Sequence, residues 1–176
     1  MAGNKPQQDF IPLQLAVVTV SDTRDETTDT SGHYLQQALE KAGHSCAQKH
    51  ICKDDVYKLR ALVATLIADN SLHGILLTGG TGFTKRDNTV VAITPLLDST
   101  IDGFGELFRQ LSFIEIGTST IQSRAFAGLS NSTVVFCMPG STGACKTAWT
   151  GIIAQQLDST HRPCNFVDRV LQKGQS

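Results

Sequence analysis

The chain has 176 residues, 40% of them hydrophobic and 18% charged, with a net charge of -1. A chain of this length is expected to form one domain, residues 1–176 with a core over about 10–166, burying about 70% of its unfolded surface. Near-neutral charge gives no basic surface for nucleic acid or membrane, and no apolar stretch reaches the roughly 20 residues of a membrane span. Residues 1–8 are polar and lack a signal-peptide core, so the expected location is cytoplasmic. Cys46, Cys52, Cys137, Cys145 and Cys164 contain no C-x-x-C spacing and are expected to be reduced thiols.

In chain order, residues 13–20 are rich in β-branched residues and almost continuously apolar, the pattern of a strand covered on both faces. They end at Ser21 and Asp22. A polar loop leads to a helix with Leu35, Ala38, Leu39 and Ala42 on one stripe, capped by Thr30 or Ser31 and stopped at Gly43. Residues 46–52 form a weaker strand. The next helix carries Val56, Leu59, Leu62, Val63, Leu66 and Ile67, with Asp54 or Asp55 at its start.

A short strand over residues 75–78 follows, then a glycine loop and a helix from about Thr89, limited by Pro95. Residues 101–113 read as another helix, and residues 114–131 resist assignment. Residues 133–138 form a clear strand, which Pro139, Gly140 and Ser141 turn into a helix bearing Ala144, Ala148, Ile152, Ile153 and Leu157. In the polar tail, Phe166, Val167, Val170 and Leu171 are expected to lie at a surface against a neighbouring subunit.

Alternating strands and helices imply an α/β fold, a mainly parallel sheet with helices on both faces. The C-terminal ends of its strands share one rim, where such sheets bind ligands. The loop after the third strand carries most of the functional information. Thr78, Gly79, Gly80, Thr81 and Gly82 place three glycines in four residues, followed by Lys85, Arg86 and Asp87. Glycines allow close approach to backbone N–H groups, which suits a phosphate. The spacing is neither G-x-G-x-x-G nor a P-loop. An acid beside an anion site needs a cation between them, so Asp87, with Asp54, is a candidate magnesium ligand; Asp22 is a further candidate on the same rim. Two acids, magnesium and an amide-lined loop suit phosphoryl or nucleotidyl transfer.

These residues resemble the MoaB/MogA molybdopterin adenylyltransferase family, which includes the gephyrin G domain. The resemblance runs from about Phe10 to Phe166. Its carriers are residues 18–22, 29–33, 77–82 with Arg86 and Asp87, 103–106, Ser123 with Arg124, and 138–141, while residues 162–166 match the B-type branch. It implies a three-layer α/β/α sandwich, a homotrimer or homohexamer, and molybdopterin binding. It also implies transfer of AMP from Mg-ATP to molybdopterin with release of pyrophosphate. Asp54 and Asp87 would be the catalytic, magnesium-binding acids. Substrate and nucleotide would be held by Ser21, Asp22, Thr78, Gly79, Gly80, Thr81, Gly82, Ser123, Arg124, Pro139, Gly140 and Ser141. Other molybdenum cofactor biosynthesis proteins are implied partners. The alternative left open is an oligomeric paralogue that binds molybdopterin without adenylylating it.

Overall fold

The computed structural model describes residues 9–174; the reading of residues 1–8 lies outside them. The elements run β1 (Gln14–Val20), α1 (Thr30–Lys41), β2 (Ser45–Cys52), α2 (Val56–Ala68), β3 (Gly74–Thr78), α3 (Thr89–Ile93), β4 (Ser99–Thr100), α4 (Asp102–Ile116), β5 (Phe126–Ser130), β6 (Thr133–Met138), α5 (Thr142–Ala148), α6 (Ala154–Gln156) and α7 (Val167–Val170). A π-helical stretch, Trp149–Ile153, joins α5 to α6.

The strands form one sheet in the order β2-β1-β3-β6-β5-β4. The first four of these are parallel, and the antiparallel β5 and the two-residue β4 complete one edge. β1 lies between β2 and β3, with Val18 opposite both His50 and Leu77, and β3 pairs with β6 through Leu76 and Phe136. Successive strand side chains point to opposite faces. Leu15, Val17, Leu76 and Phe136 therefore pack on α1, α4 and α5, while Ala16, Val18, Leu77 and Cys137 pack on α2 and α3. Helices cover both faces, as expected of the three-layer α/β/α sandwich. Among the described residues, no helix is long and apolar enough to cross a membrane.

Several local expectations change. α1 is capped by neither Thr30 nor Ser31 but by Asp29, whose side chain accepts from Gly32 N at 2.9 Å and from the Thr19 hydroxyl at 3.0 Å. Asp29 is buried, which ties the loop after β1 to the strand itself. At α2, Asp55 is the cap, accepting from the amides of Tyr57 and Lys58. That leaves the Asp54 side chain for another purpose. The unassigned residues 114–131 hold the end of α4, a 3-10 turn over Gly117–Gln122, and β5. β5 escapes an apolar-period reading because Gly128 and Ser130 interrupt it.

The tail also differs from expectation. Val167 and Val170 are fully buried in this chain's own core, with Phe166 and Leu171 packed against it. Val167 and Val170 are therefore core residues of this chain rather than surface ones, while Phe166 and Leu171 stay partly exposed beside them. Beyond α7, Lys173 Nζ donates to Leu72 O at 3.0 Å and to the Thr133 hydroxyl at 2.6 Å. The tail is thereby clipped to the end of the sheet opposite the glycine loop.

Two histidines are built into the start of β1. Leu13 N donates to His44 Nδ1 at 3.2 Å and Gln14 N to His73 Nδ1 at 2.9 Å, so each ring serves as a neutral acceptor. Burial lowers His44 below its ordinary 6.5 against a weaker opposing effect of Asp158; burial, helped by Lys173, lowers His73. Above 6.5 both folded and unfolded rings are neutral. Below it the unfolded chain takes up protons that the folded chain resists, so stability falls as pH drops through that value. Urea midpoints measured from about pH 8 to about pH 5 are expected to be level at first and then decline. A flat profile would contradict the acceptor role of these rings.

Candidate functional site

The C-terminal ends of β1, β2, β3 and β6 lie on one rim, and the loops that follow them build the site. Immediately after β3, Gly79 and Gly80 take φ of +108° and +65° and turn the chain sharply away. The turn is fixed by Gly79 N donating to Met138 O at 3.0 Å, Thr89 N to Gly80 O at 3.0 Å, and the Thr89 hydroxyl to Gly79 O at 2.7 Å. Gly140, in the loop after β6, packs so closely that a methyl group there would stand 3.1 Å from Gly79 Cα. Ser141 caps α5 by accepting from Ala144 N at 3.1 Å.

Gly80, Thr81, Gly82, Asp87, Ser123, Pro139, Gly140 and Ser141 line one cavity of about 250 Å³. Its remaining wall comes from α4 and the 3-10 turn, including Phe108, Ser112, Ser119 and Thr120. Ser21, Thr78 and Gly140 line an adjoining polar cleft of about 60 Å³ together with Asp29 and Ser31. A larger cavity, about 580 Å³, lies between α3, α4 and β5. It touches the expected site residues only through Ser123 and Arg124 and includes neither the glycine loop nor Asp87; Asp54 lines neither of the two cavities. The smaller cavity is therefore the candidate site on chemical grounds.

Asp54 and Asp87 flank the glycine loop. A methyl group on Gly80 would stand 2.9 Å from Asp54 Oδ2, and one on Gly82 2.9 Å from Asp87 Oδ2. Asp54 is held by Asn88, whose backbone N donates to Oδ1 at 3.0 Å and whose side-chain amide donates to Asp54 O at 3.0 Å. Burial pushes the Asp54 carboxyl above the usual carboxylate range against these hydrogen bonds, and the charges of Asp87 and Asp22 push it further. For Asp87, burial acts upward but is outweighed. Its bonds from the Thr84 amide and hydroxyl, at 2.7 and 2.6 Å, with Gly82 N and the Arg124 charge, hold it below the usual range. An acid held below the usual range and one pushed above it thus lie against the same glycine loop, at Gly82 and Gly80. A cation between them would relieve that repulsion.

Other expected site residues have different surroundings. Asp22 pairs with Arg86 of the glycine loop, joining the loops after β1 and β3. The Thr78 hydroxyl is fully buried, donating to Pro139 O at 2.9 Å and lying 3.2 Å from Cys145 Sγ, so it braces the two loops from beneath. Arg124 bonds to carbonyls of the glycine loop. Cys145 is buried, which pushes its thiol up to about 11 and leaves it a packing residue.

A family described as "Probable molybdopterin binding domain" matches residues 16–159. The Molybdenum cofactor biosynthesis protein B of Escherichia coli (strain K12) is 54% identical over 158 residues, covering 90% of this chain and 93% of the relative. The chain belongs to the MoaB family.

The crystal structure of a Molybdenum cofactor biosynthesis protein B, 43% identical, superposes on this MoaB-family fold with a TM-score of 0.82 over 85% of this chain and 94% of the other. The tungsten cofactor synthesizing protein MoaB from Pyrococcus furiosus, 35% identical, gives 0.70 over 80% and 90%. Two features of the candidate site leave little trace in the sequence. Asn88, which holds Asp54, sits one residue beyond the acid singled out. Ser119 and Thr120 lie in the unassigned stretch, where the run of small residues 117–120 was the available signal.

Proposed function

We propose that this MoaB-family protein transfers AMP from Mg-ATP to the terminal phosphate of molybdopterin, releasing pyrophosphate. Family membership supports the pathway role, molybdenum cofactor biosynthesis. The observation that carries the finer reading is the pair Asp54 and Asp87 packed against Gly80 and Gly82.

Among the described residues, no group of three or more His, Cys, Asp or Glu could hold a metal by itself. Magnesium would therefore arrive with the incoming nucleotide. Magnesium commonly binds through one or two carboxylates, substrate phosphates and water, a donor set that Asp54 and Asp87 can complete. When bound, it would neutralise charge on the triphosphate. The chain's own contribution is placement: the loop amides of Gly80 and Thr81 and the capped start of α5 at Ser141 receive phosphate oxygens. The molybdopterin phosphate oxygen attacks the α-phosphorus, a new P–O bond forms, and the α–β bond breaks with pyrophosphate leaving. No covalent protein intermediate is required.

The test is incubation with molybdopterin and Mg-ATP, following adenylylated molybdopterin and pyrophosphate together. Appearance of both supports the reading. Molybdopterin binding without pyrophosphate release would replace it with a non-catalytic binding role.

With the tail in the core, assembly as a trimer or hexamer rests on the family resemblance and on exposed Leu107, Phe113, Ile114, Ile116 and Ile121 around α4. A monomer in light scattering over a wide concentration range would refute it.

A further inference from the structure

Arg124 stands immediately before β5, facing the glycine loop. Its backbone N and its Nε both donate to Thr81 O at 3.2 Å, and its Nη2 donates to Gly82 O and to Asp87 O, the latter at 3.1 Å. The guanidinium lies over the Phe83 ring, 4.7 Å from its centroid. One planar fork thus joins Thr81 and Gly82 at the start of the loop to Asp87 at its end. The residues it encloses, Phe83 to Arg86, are exposed, and Phe83 is 64% exposed. A glycine-rich segment with little side-chain packing has many accessible conformations, so such a tether decides which one is held.

We infer that Arg124 is a positioning residue that fixes the glycine loop and, through the Asp87 backbone, aims the Asp87 carboxylate, rather than a ligand of substrate phosphate. This rests on the adenylylation reading for its catalytic consequence but not for the tether itself. Carbonyl oxygens occupy the Nε and Nη2 donors, the edge of the fork that faces the loop. The geometry needs a rigid fork; lysine, a single point charge, cannot bridge Thr81, Gly82 and Asp87 together.

The experiment has two arms, using the full chain with Arg124→Gln and Arg124→Lys. Hydrogen exchange of residues 79–88 without ligand is expected to speed up about tenfold or more in both variants, with β1 and β3 unchanged. Magnesium titration of pyrophosphate release is expected to require about fivefold more magnesium and to show lower kcat, with KM for molybdopterin within about twofold of the wild type. Lysine should not rescue either readout. Unchanged loop exchange, with a KM for ATP or molybdopterin raised about tenfold, would overturn the inference and make Arg124 a substrate contact. Should the wild type release no pyrophosphate, the adenylylation reading fails, and the exchange arm alone upholds or overturns the tether.

Discussion

Asp87→Asn is expected to lower pyrophosphate release by on the order of 100- to 1,000-fold, and Asp54→Asn by a similar factor. Asparagine keeps the size of aspartate and an acceptor oxygen, so the Thr84 bonds to residue 87 and the Asn88 bond to residue 54 can persist. What disappears is the negative charge that would draw magnesium and the triphosphate into register. Molybdopterin binding should fall much less, because the backbone amides of Gly80 and Thr81 do not change. Full activity in Asp87→Asn would sink the mechanism.

The two variants should part company in stability. Asp54 has a carboxyl pushed upward, by burial first and by Asp87 and Asp22 after it. A group with a raised folded value is favourable below its unfolded value, ordinarily 3.8, and loses that contribution as pH rises through the folded value. At neutral pH the ionised Asp54 therefore weighs against folding, and Asp54→Asn should stabilise the ligand-free protein while disabling it. Because the group is only partly buried and solvent screens it, the gain is at most about 1 kcal/mol. Asp87 is held below the usual range, so Asp87→Asn should lose stability instead. Opposite shifts in urea midpoint, with parallel losses of activity, would mark Asp54 as an acid kept for function against the preference of the fold. Equal destabilisation of both would remove that distinction.

How far the sequence disclosed this arrangement depends on what each residue contacts. β1, β3 and β6 are legible because both faces are buried, leaving uninterrupted apolar runs. The rim follows from their parallel order, and Gly80, Thr81, Gly82, Asp87, Pro139, Gly140 and Ser141 do meet in one cavity. Side-chain duties were less legible. Nothing in the spacing separates Asp54 from Asp55 as the α2 cap, since both precede the helix; only backbone direction gives the capping bonds to Asp55. Arg124 looks like an anion ligand in sequence because its carbonyl partners lie about 40 residues away and backbone oxygens leave no trace in residue type. The tail misleads for a related reason. Four apolar residues in a polar stretch suit a subunit contact or an intramolecular lid equally well, and the chain's own core takes them.

Gly79→Ala is expected to destabilise the fold by about 3 kcal/mol and to abolish the site with it. Gly79 has φ of +108°, outside the comfortable range of L residues, and a methyl group there would stand 2.3 Å from Val20 O. That oxygen belongs to the last residue of β1, so it cannot turn aside as a flexible side chain would. Relief requires β1 and the glycine loop to separate, which also disturbs Gly79 N on Met138 O and the Thr89 hydroxyl on Gly79 O. Gly103→Ala is the matched comparison. Gly103 lies in the first turn of α4, has nothing within 4 Å of the added carbon, and should gain up to about 1 kcal/mol from helix propensity. Denaturant midpoints of the two variants are therefore expected to move in opposite directions. If Gly79→Ala unfolded at the wild-type midpoint, the close junction between β1 and the loop after β3 would not be what sets the shape of the site.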